Sequence, residues 1–178
     1  MNVLLFDPFN GAAGDMIIGS LLDLGADEGV VRAAMRSVVG EPTIERVDRS
    51  GIRAVRVRAH APVDHRTLEE VLDRVAESDT PAPAREMARR VFLRIHRAEE
   101  SIHGHGAHFH EVGADDAIAD VVGACTALYS LAPDRVAVLP VALGLLLGTA
   151  VIAVVVVALA NRRRPTTGTT GSHAAGGR

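Results

Sequence analysis

An α/β or α+β fold, with a mixed sheet and packed helices, is what this 178-residue chain predicts. Three observations lead there. Short apolar runs closed by Asp, Pro, Asn or Gly read as strands. Longer stretches repeat apolar residues at i, i+3, i+4 and i+7, as helices do. The two kinds are interspersed without strict strand–helix alternation, and no internal repeat is found.

The elements follow in order. "NVLLF" is an apolar run ended by Asp7 and Pro8 and reads as a buried strand. "NGAAGDM" is a glycine-rich turn. Ile17, Ile18, Leu21, Leu22 and Leu24 have helical spacing, and Gly25 is a natural stop. A second helix carries Val30, Val31, Ala34, Met35 and Val38 and ends at Gly40. "TIERVDRSGIRAVRVRAH" reads as two strands around Ser50–Gly51, with Val55, Val57 and Ala59 inward and Arg56, Arg58 and His60 outward. A third helix holds Leu68, Val71, Leu72 and Val75, with Asp64 or Thr67 as its cap.

"SDTPAPA" breaks the chain. A long fourth helix then runs over about 84–102, with Met87, Val91, Ile95, Ala98 and Ile102 on one stripe. Gly104 and Gly106 end it. A fifth begins near Asp115 and carries Ile118, Val121, Val122, Cys125, Leu128 and Tyr129. "DRVAVLPVALG" returns as a strand.

Composition limits the function. Hydrophobic residues make up 48% of the chain, enough for a sizeable core, but there are only four Phe, one Tyr and no Trp. The core is therefore aliphatic. Nineteen basic against 22 acidic residues leave no footprint for nucleic acid. Cys125 is the only cysteine, which excludes an internal disulfide and a thiolate zinc cage, and its place on an apolar stripe makes it a core residue. Any metal site must use nitrogen and oxygen donors. The start lacks a basic region followed by an apolar run, so no signal peptide is expected and the main domain is expected in the cytoplasm.

Three stretches carry possible chemistry. In "SIHGHGAHFHEVGADDAIAD", four histidines fall within eight positions, followed by Glu111, Asp115, Asp116 and Asp120. Glycines exclude a helix at 104–106. In an extended segment residues two apart face one side, so His108 and His110 can share an ion, as can His103 and His105. Imidazole suits Ni, Zn, Cu or Fe, and carboxylates can complete the shell. Asp116 and Asp120 lie one helical turn apart, away from the apolar stripe. Against this, Asp115 and Asp116 suit a helix start by capping and dipole alone, and Asp120 is then merely solvated. Metal binding, acid/base catalysis and a polar loop all stay open.

"FDPFNGAAGDM" has the strand–turn–helix form that aims N–H groups at an anion. Its G-x-x-G spacing is not a nucleotide fingerprint. Asp7 and Asp15 are possible ligands, although Asp15 as a simple helix cap is the plainer reading. "HAPVDHRTLEE" places His60, Asp64 and His65 around a strand-to-helix link, where loop and cap roles suffice.

"FDPFNGAAGDM", "LLDLGAD", "SGIRAVRVRAH", "RVFLRIHRAEESIHG" and above all "HFHEVGADDAIADVVGA", in this order, resemble the N-terminal region of the LarC family of nickel insertion proteins, over roughly residues 1–144. The resemblance implies Ni²⁺ binding and its CTP-dependent insertion into pyridinium-3,5-bisthiocarboxylic acid mononucleotide, a cyclometallase (lyase-type) reaction also needing a divalent cation. It implies a cytoplasmic protein, with a homo-oligomer as one arrangement. Carried over by position, it implies His108, His110, Glu111, Asp116 and Asp120 as metal ligands. Glu111 and Asp116 are the catalytic candidates, and Asp7, Gly11, Gly14 and Asp15 the substrate or cofactor contacts. Two places depart from the family. Its His-rich run before the third helix is here only "HAPVDH", and its CTP-handling C-terminal part has no counterpart after "LPVALG".

The expected organisation is a metal-binding domain over 1–135, an apolar segment over 136–160 and a low-complexity tail over 161–178. The 25 residues from Val136 to Ala160 carry no charge and are long enough for one transmembrane helix. Arg162, Arg163 and Arg164 would then favour a cytoplasmic C-terminus, placing 1–135 outside the cytoplasm. The second reading is that the family frame ends near Gly144 and the Arg-, Thr- and Gly-rich remainder is an out-of-frame product. Two other functions compete with nickel insertion. One is a membrane-tethered metal-binding module without catalysis. The other is a metal-dependent hydrolase with Glu111 as general base.

Overall fold

The computed structural model describes residues 1–9, 11–60, 66–103 and 114–140, with the side chains at 102 and 103 left aside. In chain order the elements are β1 (Val3–Phe6), α1 (Gly14–Asp23), α2 (Glu28–Val39), β2 (Thr43–Arg49), β3 (Ile52–Arg58), α3 (Leu68–Glu77), α4 (Ala82–His103), α5 (Asp115–Leu131) and β4 (Arg135–Val138). The fold is mixed α/β and dominated by helices. In place of the expected single mixed sheet there are two small ones among the described residues. β1 pairs with β4 in parallel, and β2 pairs with β3 antiparallel.

Local chemistry explains the element ends. The Asp27 side chain caps α2 by accepting from the Val30 N–H at 3.1 Å. Thr67 and Glu70 form a full capping box at the start of α3, which decides the cap in favour of Thr67. Ser50 and Gly51 both have positive φ, 55° and 83°, as a tight hairpin turn requires. The resulting register sets Glu45 opposite Arg56, and Arg56 Nε donates to Glu45 Oε1 at 2.7 Å. α4 starts two residues earlier than the sequence suggests, because Pro83 in a first turn has no N–H to lose.

α5 is the centre. It packs against α1, α2 and α4, and more lightly against α3. Its residues from Ile118 to Leu128 are buried except Asp120. Only Tyr129, expected on the same stripe, points outward. Around α5 gather Ile18, Leu21, Val31, Met35, Val57, Val71, Val91 and Phe92, and Phe92 is the largest fully buried side chain. Cys125 is buried as expected, and burial pushes its thiol up to about 12.

Two expectations need correction. β1 is not a buried strand: Leu4 and Phe6 turn to the core, while Val3 and Leu5 on its other face are exposed. Leu24, counted in the first helical stripe, lies past the end of α1 and is 62% exposed. Residues 136–138, at the start of the uncharged stretch, belong to strand β4. No helix among the described residues is long and apolar enough to cross a membrane. Residues 141–160 lie outside the described residues.

Candidate functional site

The parallel strand β1 ends at Phe6, and the turn after it delivers the N-terminus of α1. This is the end of a parallel strand at which α/β folds gather ligands. Asp7 is exposed on that turn, with its Oδ1 accepting from the Phe9 N–H at 3.2 Å. Gly11, with φ 86°, closes the turn by donating from its N–H to the Pro8 carbonyl at 3.0 Å. Gly14 and Asp15 open α1. Asp15 does not cap the helix. Ala13 stands at the cap position without any side-chain bond, and Asp15 Oδ1 accepts instead from the N–H of its neighbour Met16 at 2.8 Å.

Asp120 reaches this helix start from α5. Its carboxyl lies directly over Gly14, where a β-carbon would collide with it. The backbone N–H of Asp15 donates to it, and Asp15 and Asp116 are close enough to act on its charge. The expectation of a solvated Asp120 is thus corrected. α5 is wrapped on several sides, and the side away from its apolar stripe faces α1 at this position.

Opposing effects act on Asp120. The N–H of Asp15, at a helix N-terminus, favours the carboxylate. Burial opposes it, and the charges of Asp15 and Asp116 oppose it further. Burial is the largest effect, and the carboxyl is pushed up to about 7. Asp116 is more exposed, and its Oδ1 accepts from the Ala117 N–H at 2.8 Å.

Asp115 has a different role. Only 3% exposed, it receives two bonds from one guanidinium: Arg66 Nε to Oδ1 at 2.6 Å and Nη2 to Oδ2 at 3.1 Å. The Arg66 bonds hold its carboxyl below the usual carboxylate value despite burial. It is a structural tie, not the helix cap it resembled in sequence. Arg66 had no sequence signal, because its partner is 49 residues away.

The sequence candidates therefore divide. Gly14, Asp15, Asp116 and Asp120 come together where α1 meets α5. Asp7 and Gly11 belong to the turn before it. His108, His110, Glu111, His105, Asp64 and His65 lie outside the described residues. Among the described residues, no group of three or more His, Cys, Asp or Glu side chains is set to hold a metal ion. His60 Nε2 stands 3.2 Å from Thr43 Oγ1 across the hairpin, in keeping with a structural role.

The geometry defines a helix-rich α/β domain with carboxylates collected at one helix start. The chain belongs to the nickel insertion protein family, whose model matches residues 4–153. The likeness thus runs nine residues past Gly144, where the recognisable motifs end. A nickel insertion protein of Methanosarcina mazei is 42% identical over 151 residues, covering 81% of this chain and 38% of that protein. A relative of the same description from Methanococcoides burtonii is 40% identical over 150 residues, with the same two shares covered. The pyridinium-3,5-bisthiocarboxylic acid mononucleotide nickel insertion protein of a Nocardioides species is 40% identical over 152 residues, covering 81% of this chain and 39% of that protein. The chain spans less than two fifths of the length of these relatives. No solved structure matches it.

Proposed function

We propose that this domain binds Ni²⁺ and delivers it for insertion into an organic nucleotide cofactor precursor. The observation that carries the reading is the match of residues 4–153 to the nickel insertion family. The Asp120 carboxyl, near Asp15 and Asp116 at the start of α1, is the described group that supports it. In sequence, α5 directly follows the stretch with His108, His110 and Glu111. Imidazole and carboxylate donors hold Ni²⁺ well enough to capture it, yet they are harder ligands than sulfur. A thiocarboxylate acceptor, as in the name of the Nocardioides relative, would therefore draw the metal off them.

The raised pKa of Asp120 fits capture. The site is partly protonated near neutral pH, and an arriving divalent cation displaces that proton in place of a bound counter-ion. His108, His110, Glu111, Asp116 and Asp120 are the proposed ligand set. Glu111 and Asp116 are the groups for moving protons during transfer. Asp7, Gly11, Gly14 and Asp15 line the approach. CTP and its divalent cation enter only through the resemblance.

Calorimetric titration of the full chain with NiCl₂ tests this. The expected result is saturable binding accompanied by proton release near pH 7. The double variant His108→Ala/His110→Ala should weaken it at least 100-fold, and Asp120→Asn about 10-fold. Absence of saturable nickel binding by the folded chain would sink the proposal.

A further inference from the structure

Among the described residues, the β1–β4 sheet and α1 present one exposed apolar face. On the sheet, Val3 is 52% exposed, Leu5 57% and Leu139 41%. On the neighbouring flank, Met16 of α1 is 60% exposed and Leu24, just past the end of α1, 62%, and both line one groove. Between them, along the edge of β1 that no described strand pairs, runs a groove of about 280 Å³ lined by Leu5, Phe6, Ala12, Met16 and Leu24. Parallel sheets occur almost only with both faces covered. The inner face here already packs on the core through Leu4, Phe6, Val136 and Val138. A contiguous apolar patch beside an open strand edge is a surface built to be occupied.

We propose that the occupant is residues 141–160 of this same chain. That segment begins at the patch: the Leu139 N–H donates to the Phe6 carbonyl at 2.9 Å, and Pro140 follows. Its 20 residues carry no charge and are mostly Val, Leu, Ala and Ile, which suits them to an apolar face. The family match extends through residue 153, so the first part of the segment belongs with the domain rather than outside it. Reach is ample. Twenty residues can extend to about 65 Å, whereas the ten-residue flank of α1 is only about 15 Å long. An apolar face exposed among the described residues and an uncharged, mostly aliphatic segment directly after it can bury each other in a single contact. The segment is thereby a covering layer of the domain, not a membrane anchor, and this holds whether or not the domain carries nickel.

The test uses the full chain. Leu5→Cys is combined in turn with Val151→Cys, Val154→Cys and Val156→Cys; the native Cys125 is buried and does not compete. On mild oxidation at least one pair should form an intramolecular disulfide at a rate independent of protein concentration. Hydrogen exchange adds a second measurement. Amides of 145–157 should exchange at least tenfold faster in Leu5→Asp/Met16→Asp than in the parent chain, with α2 and α5 unchanged as the control for folding. Both replaced side chains are exposed in the described fold, so the core is left intact. Disulfide-linked dimers in place of the intramolecular bond, failure of all three pairs to cross-link, retention of the chain in carbonate-washed membranes, or equal exchange in the two chains would each overturn the proposal.

Discussion

At Asp120 the fold sets a carboxyl against its own ionisation. Its ordinary pKa of 3.8 rises to about 7, with burial the main cause and the charges of Asp15 and Asp116 adding to it. The protonated form is therefore the one the native state prefers. Its contribution to stability is complete below about pH 4 and is lost as pH rises through 7. Asp120→Asn keeps the shape and an acceptor for the Asp15 N–H but cannot ionise. In metal-free urea denaturation, the parent chain should lose stability between pH 5 and pH 8, and the variant should not. At pH 8 the variant should be the more stable by about 1–2 kcal/mol, less than the full linkage value because Asp120 is only partly buried. Parallel curves for the two proteins would show that burial does not govern this group. The residue types around Asp120 were legible in sequence, as was their spacing along α5. The company of Gly14 and Asp15 was not, because it comes from a helix about a hundred residues earlier in the chain.

At the scale of elements, the helical spacing of apolar residues found α2, α3, α4 and α5, and alternation found the β2–β3 hairpin. These patterns are local, and burial on one side was enough to imprint them. The errors fall where an element is buried on more than one side or on less than expected. α5 reads as a helix with one apolar stripe, yet it is surrounded. Its small residues Ala119, Gly123, Ala124 and Ala127 are as buried as its large ones. Gly123 shows the reason. A methyl group there would stand 2.8 Å from Ile18 Cδ1 and 2.9 Å from Met35 Sδ, so α1 and α2 pack against the bare helix backbone. Gly123→Ala improves helix propensity by about 1 kcal/mol, but overpacking at such contacts costs about 1–3 kcal/mol. A lowered melting temperature is expected, with a net loss of about 1–2 kcal/mol. A rise would mean that flexible Met35 yields its place.

At the scale of the whole molecule, Arg66–Asp115 is a largely buried polar tie between distant parts of the described chain. It fastens the start of α5 to the segment that leads into α3. The Arg66 bonds depress the pKa of Asp115, so the contribution of this pair is present above about pH 4 and is lost as pH falls through the depressed value. Asp115→Ala removes both of these buried, charge-assisted bonds to the guanidinium, and a loss of about 2–4 kcal/mol is expected in chemical denaturation. Arg66→Ala/Asp115→Ala should be less destabilised than the sum of the two single variants. Strict additivity would deny the coupling. The same tie holds the first turn of α5, one turn before Asp120 meets Gly14 of α1.

The sequence by itself determined the mixed α/β class, the aliphatic core, the inward place of Cys125 and the family likeness through motifs such as "HFHEVGADDAIADVVGA". All of these are carried by residue type and near-neighbour spacing. Only the tertiary structure decided that the strands form two small sheets and that α5 is central. Only it separated Asp115, held by Arg66, from Asp120, held over Gly14. Neighbouring carboxylates on one helix look alike in sequence. Their roles diverge because charge and burial are set by what packs against each, and those partners come from far along the chain.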